Sequence, residues 1–115
     1  VAGKFDQNWN LSPLAVTVGI NLHNYTPANL DSASILWITP TATIDFSGLG
    51  GGQERRLMFI GLRQAGAFNV NILAENGGSL AQNRFADAVV MNMNGAGIVV
   101  SAWIYLGSRW RRWKF

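Results

Sequence analysis

The sequence predicts an all-β single domain, an antiparallel β-sandwich or jelly-roll-like fold, on three observations. Apolar residues recur at a period of two in short bursts, the spacing at which alternate side chains of a strand reach one core. Gly, Asn, Pro or Ser breaks each burst, while helix caps, which need such a residue at the head of a helix-period run, are scarce. The bursts also follow one another at regular intervals, as they do in sandwiches and barrels.

The first strand is expected at residues 14–22, followed by strands at 34–38 and 42–46. Residues 48–52 form a low-complexity stretch. Gly50-Gly51-Gly52 is expected to be a hairpin turn joining two strands, because residues without Cβ lose too much backbone entropy inside one. The next strand, 56–62, contains Leu57-Met58-Phe59-Ile60 and is apolar on both faces. In the strand at 68–73, Phe68, Val70 and Ile72 alternate with Asn69 and Asn71, which gives one dry face and one wet face. Strands at 88–92 and 98–106 complete the set, the second again apolar on both faces, with 109–113 as an eighth. Residues 1–12 show no periodicity and are expected to form an extended N-terminal arm. Residues 13–115 then make up the sandwich domain with a basic aromatic C-terminal extension.

Charged residues make up 13% of the chain and hydrophobic residues 49%, against about a quarter charged in ordinary soluble domains. So little charge does not clothe a free monomer, and a strand that is apolar on both faces leaves one face without a core to enter. A homo-oligomer is the expectation, with Met58, Ile60, Val99, Trp103 and Tyr105 as subunit-interface candidates. Cysteine is absent, which excludes disulfides and thiolate metal sites. No run approaches the roughly eighteen apolar residues of a membrane helix, and the first ten residues lack the apolar stretch of a signal peptide. The formal charge of +3 is concentrated at the end, in Arg109, Arg111, Arg112 and Lys114.

Catalysis is not expected, because one histidine and six carboxylates offer little that can converge. His23 lies beside Asn24 at an expected strand end, and no Gly-x-Ser-x-Gly elbow surrounds any serine. Asp45 with Glu54, or Asp31 with Asp87, read as scattered surface acids rather than a glycosidase pair. The glycines from Gly48 are followed by Gln53-Glu54 rather than by Gly-Lys-Ser/Thr, which argues against a phosphate loop. With no calcium-loop spacing either, neither a metal nor a cofactor is expected. Asn10-Leu11-Ser12 and Asn24-Tyr25-Thr26 match the glycan acceptor pattern, but the second reads as turn chemistry with Pro27 setting the bend.

Five short segments recur in a telling order: Asn24-Tyr25-Thr26-Pro27, Phe46-Ser47-Gly48-Leu49-Gly50-Gly51-Gly52-Gln53, Glu75-Asn76-Gly77-Gly78-Ser79, Asn83-Arg84-Phe85 and Ser108-Arg109-Trp110-Arg111. Over roughly residues 20 to 112 this series resembles an all-β module of tailed-bacteriophage virion proteins, found in tail fibres, tailspikes and capsid decoration proteins. The resemblance implies a trimer, and it implies structural roles for Asn24, Tyr25, Pro27, Asn76, Asn83, Arg84 and Phe85. It also implies that the Ser108 to Arg111 segment closes the domain. Here the chain departs from the family by continuing with Arg112-Trp113-Lys114-Phe115.

Interleaved arginine and tryptophan suit phosphates and bases, a lipid headgroup layer, or a protein hot spot. An extended strand would mix basic and aromatic residues on both faces, which disfavours a membrane, and nucleic acid ranks below protein as a partner. The expected docking residues are therefore Lys4, Phe5 and Trp9 at one end and Arg109, Trp110, Arg111, Arg112, Trp113, Lys114 and Phe115 at the other. The expected partner is a major capsid protein or another virion protein. The expectation is a virion structural protein, a trimeric capsid decoration or cement protein, since a tail fibre's attachment region and shaft find no room beside this domain. The alternatives are a tail-fibre module that binds a receptor or host glycan through Trp37, Tyr105 and the asparagines, and a nucleic-acid or membrane-surface binder working through the basic end.

Overall fold

The computed structural model describes residues 12–63, 68–86, 91–94 and 99–113. Eight strands appear among them: β1 (Pro13–Val18), β2 (Ile35–Pro40), β3 (Ile44–Phe46), β4 (Leu57–Leu62), β5 (Val70–Ile72), β6 (Met91–Met93), β7 (Val100–Tyr105) and β8 (Trp110–Trp113). Two short 3-10 turns, at Leu30–Ser32 and Ala81–Asn83, interrupt the connections. A five-stranded sheet runs β1-β2-β4-β7-β8 and a three-stranded sheet runs β3-β5-β6. Both contribute to one core cluster, so the arrangement is all-β and sandwich-like.

The pairing differs from the expected antiparallel order, because both sheets are mixed. β1 with β2, β2 with β4, and β3 with β5 are parallel, while β4 with β7, β5 with β6, and β7 with β8 are antiparallel. For β2 with β4 and for β3 with β5 the cause is the route of the chain. It crosses from the large sheet to the small one between β2 and β3, returns between β3 and β4, and crosses again to β5. A strand reached after two such crossings runs the same way as its neighbour. Gly50-Gly51-Gly52 therefore joins two strands as expected, but it links different sheets and is not a hairpin. The expected strand at 14–22 is also divided: β1 ends at Val18, and Leu22 bridges Phe46 at the margin of the small sheet.

Side-chain parity in the large sheet separates two faces. Met58, Ile60, Trp103 and Tyr105 point inward with Leu36 and Ile38 and are buried within this one chain. Four of the five expected subunit-interface residues are thus core, and only Val99 is exposed. Trp103 is satisfied internally, its Nε1–H donating to Ser101 Oγ at 2.8 Å. Tyr105 donates its hydroxyl to the Gln82 carbonyl at 2.6 Å. The 88–90 part of the expected strand at 88–92 and residue 98 lie outside the described residues, as do residues 1–11 of the expected arm.

Candidate functional site

The motif segments, far apart in sequence, meet at one margin of the fold. Tyr25 and Leu49, Gly48 and Arg84, Ala74 and Phe85, and Phe85 and Trp110 are joined by isolated bridges. Three of the residues that open these segments, Asn24, Glu75 and Ser108, have φ of 47°, 46° and 60°. That left-handed region is uncommon for residues with a side chain and is tolerated best by Asn, so it marks sharp turns held by their surroundings.

Asn24 is the hub of the junction. Its Oδ1 accepts from the Leu80 N–H at 2.7 Å and from Asn83 Nδ2 at 2.9 Å, and its own N–H donates to Ser79 Oγ at 2.8 Å. Thr26 Oγ1 donates back to the Asn24 carbonyl, the turn chemistry expected of that tripeptide. Asn76 Oδ1 closes the next turn by accepting from Gly78 N–H at 2.8 Å. Arg84 Nε donates to the Ser79 carbonyl at 3.0 Å. An aromatic row, Tyr25 to Phe46 to Phe85 to Trp103, packs edge-on or tilted beneath these turns at centroid distances of 6.0, 5.2 and 4.7 Å. Such pairs add about 0.5–1.5 kcal/mol each beyond the area they bury.

Sequence reading missed a chain of hydroxyls in the same place. His23 Nδ1 lies 2.6 Å from Ser47 Oγ, which lies 2.7 Å from Ser79 Oγ. The spacing is that of a nucleophile and its base, but the serines are closed off. Ser47 is 0% and Ser79 3% exposed, and Ser47 Oγ donates to the Leu22 carbonyl. A hydroxyl with no route to substrate is not a nucleophile, and the trio reads as a buried polar tie between loops. No sequence signal foretold it, because the two serines sit in unrelated loops.

The C-terminal strand divides the expected docking residues. Trp110 is wholly buried, its Nε1–H donates to the Leu49 carbonyl at 2.8 Å, and its ring meets Tyr105 edge-on at 5.1 Å. It is a structural anchor rather than a docking residue. Arg109 is engaged by Glu75 at 2.7 Å, with Arg84 3.9 Å from the same carboxylate. Arg112 sits on the inner side opposite Trp103, with its Nε buried and unpartnered. Arg111 and Trp113 are exposed on the outer face. Lys4, Phe5, Trp9, Lys114 and Phe115 lie outside the described residues.

Other chemistry does not assemble. No group of metal-binding side chains occurs among the described residues. Asp45 Oδ1 accepts from Asn71 Nδ2 at 3.2 Å, and Glu54 Oε1 accepts from Gly107 N–H at 3.1 Å, so each acid serves a local bond. Asp87 lies outside the described residues. Arg56, next to the glycine loop, donates to the carbonyls of Gly51, Leu30 and Ala33 and so pins the loop rather than serving an anion. An open depression of about 410 Å³ is lined by Thr26, Pro27, Ala28, Asn29, Leu30, Asp31 and Ser32. It has no aromatic ring on which a sugar would stack. No helix among the described residues is long and apolar enough to cross a membrane.

Comparison with protein-family models, with curated proteins and with solved structures finds no match to the chain.

Proposed function

We propose that the chain is a structural protein of a tailed-bacteriophage virion, a homotrimeric capsid decoration protein that docks through its termini. The observation that carries this reading is the junction at Asn24: segments resembling the virion module, scattered from residue 24 to residue 111, come together in one hydrogen-bonded margin. Residues retained only by chance would not be expected to share one function in the fold. Docking falls to exposed Arg111 and to the terminal residues Lys4, Phe5, Trp9, Lys114 and Phe115. Trp110 and Arg109 hold the domain together.

Titrating purified capsids with the protein and imaging the lattice tests the reading. Saturation at threefold positions is expected. Truncation at Arg109 is a poor probe, because it removes Trp110 from the core. Better variants are deletion of residues 1–11, deletion of residues 114–115 and Arg111→Glu, each of which spares the described core. If a protein carrying all three changes still folds and decorates shells normally, docking does not run through the termini. If unaltered protein never occupies a shell, the decoration reading fails.

A further inference from the structure

Gly77 is the one described glycine for which the fold shows no use. Each of the others takes a left-handed φ or has a neighbour within 3.0 Å of the place a Cβ would fill. At Gly77 the φ is not left-handed and nothing lies within 4 Å of that place. A glycine without such a reason only adds backbone entropy for folding to overcome. Its missing Cβ does matter to one reaction, because a bare Cα leaves the amide nitrogen open to the preceding side chain, here the carboxamide of Asn76.

The turn assembles that reaction. Asn76 Oδ1 accepts from Gly78 N–H at 2.8 Å, which polarises the Cγ carbonyl and places a donor where negative charge would develop. Among the described residues no hydrogen bond holds Gly77 N–H or Asn76 Nδ2, so nucleophile and leaving group are both free. Gly77 and Gly78 are exposed, and water reaches them. Asn24, Asn71 and Asn83 lack the set: Tyr25, Ile72 and Arg84 follow them, and the amides of Asn71 and Asn83 already donate. Asn94-Gly95 is the second Asn-Gly pair of the sequence, with Gly95 outside the described residues.

We infer that Asn76 is a site of spontaneous deamidation. The Gly77 nitrogen attacks Asn76 Cγ and gives its proton to water, the Cγ–Nδ2 bond breaks, and the nitrogen takes a proton from water and leaves as ammonia. A cyclic imide remains. Water opens it at either carbonyl, to aspartate or to isoaspartate. In isoaspartate the main chain runs through Cβ and Cγ and is longer, and the former Asn76 carbonyl becomes a carboxylate. That carbonyl accepts from Ser79 N–H at 3.3 Å, and Ser79 Oγ accepts from Asn24 N–H at 2.8 Å, so the lengthened turn disturbs the Asn24 junction.

Peptide mapping by mass spectrometry after incubation at mildly alkaline pH tests the site. In the folded full chain Asn76 should convert at least as fast as in the urea-unfolded chain and ahead of every other asparagine, with isoaspartate among the products. Gly77→Ala, which the open space admits, should slow conversion about tenfold or more by crowding the attacking nitrogen. Aged protein should unfold at lower urea than Asn76→Asp, which carries the new charge on a main chain of ordinary length. Protection of Asn76 by folding overturns the inference, as does earlier conversion at Asn94 or a Gly77→Ala variant that converts at the unaltered rate. Equal urea midpoints for aged protein and Asn76→Asp overturn the link to the junction.

Discussion

Asn24 does two jobs that separate by substitution. It occupies a left-handed backbone position and its side-chain oxygen satisfies two donors from a loop more than fifty residues away. Asn24→Gly keeps the backbone freedom and loses the bonds, which should cost about 1–2 kcal/mol. Asn24→Ala loses the bonds and strains the turn as well, for about 2–3 kcal/mol. Urea midpoints of the two variants measure the difference, and equal losses would show that the left-handed turn contributes nothing. Tyr25, the next residue, is partly buried, and that burial pushes its phenol above the ordinary 10.0. Only the neutral form is favoured by folding. The stabilisation is therefore complete below pH 10.0 and is lost as pH rises through the elevated folded value. Tyr25→Phe should remove that part of the alkaline decline, read as a flatter plot of urea midpoint against pH from about 9 to about 11.

At the scale of elements, β8 is the piece whose role the structure changes most. Gly107 and Ser108, with φ of 61° and 60°, form a two-residue turn whose twist suits the hairpin of β7 and β8. That turn sets Trp110 opposite Tyr105 and drives its indole into the core. Trp110→Ala should cost about 3–5 kcal/mol through the cavity, with a further penalty for the unpaired Leu49 carbonyl. Arg111→Ala, one position along and exposed, should stay within about 0.5 kcal/mol. Thermal unfolding of both variants checks the contrast, and similar losses would contradict the parity of the strand. The strands themselves were legible in the sequence because period-two alternation survives in any β pairing. Parallel order was not, since that same period serves both directions and only the path between layers decides. The inward and outward faces of β4 and β7 were also hidden. Leu57-Met58-Phe59-Ile60 is apolar throughout, so nothing in it distinguishes Met58, which is core, from Phe59, which faces out. The turn at Asn24 was readable from Asn, Thr and Pro, whereas the Ser47–Ser79 contact depends on tertiary folding alone.

The whole molecule should unfold as one unit, and it should do so in a way that depends on concentration. Phe46 from the small sheet's β3, Phe85 from a connecting loop and Trp103 from the large sheet stack in one row, so neither sheet keeps its core if the other leaves. The partners that must meet are distant in sequence, as with Leu49 and Trp110, so loop closure is costly and folding should be slow, on the scale of milliseconds to seconds. Urea titrations followed by tryptophan fluorescence and by far-ultraviolet dichroism should coincide; separated curves would mean that the sheets are independent. Association adds a second signature. If the chain assembles as the homotrimer proposed, only the folded chain gains from association, and the midpoint must rise with protein concentration. A midpoint that is flat with concentration for the unaltered protein, with coincident curves, would describe a self-sufficient monomer.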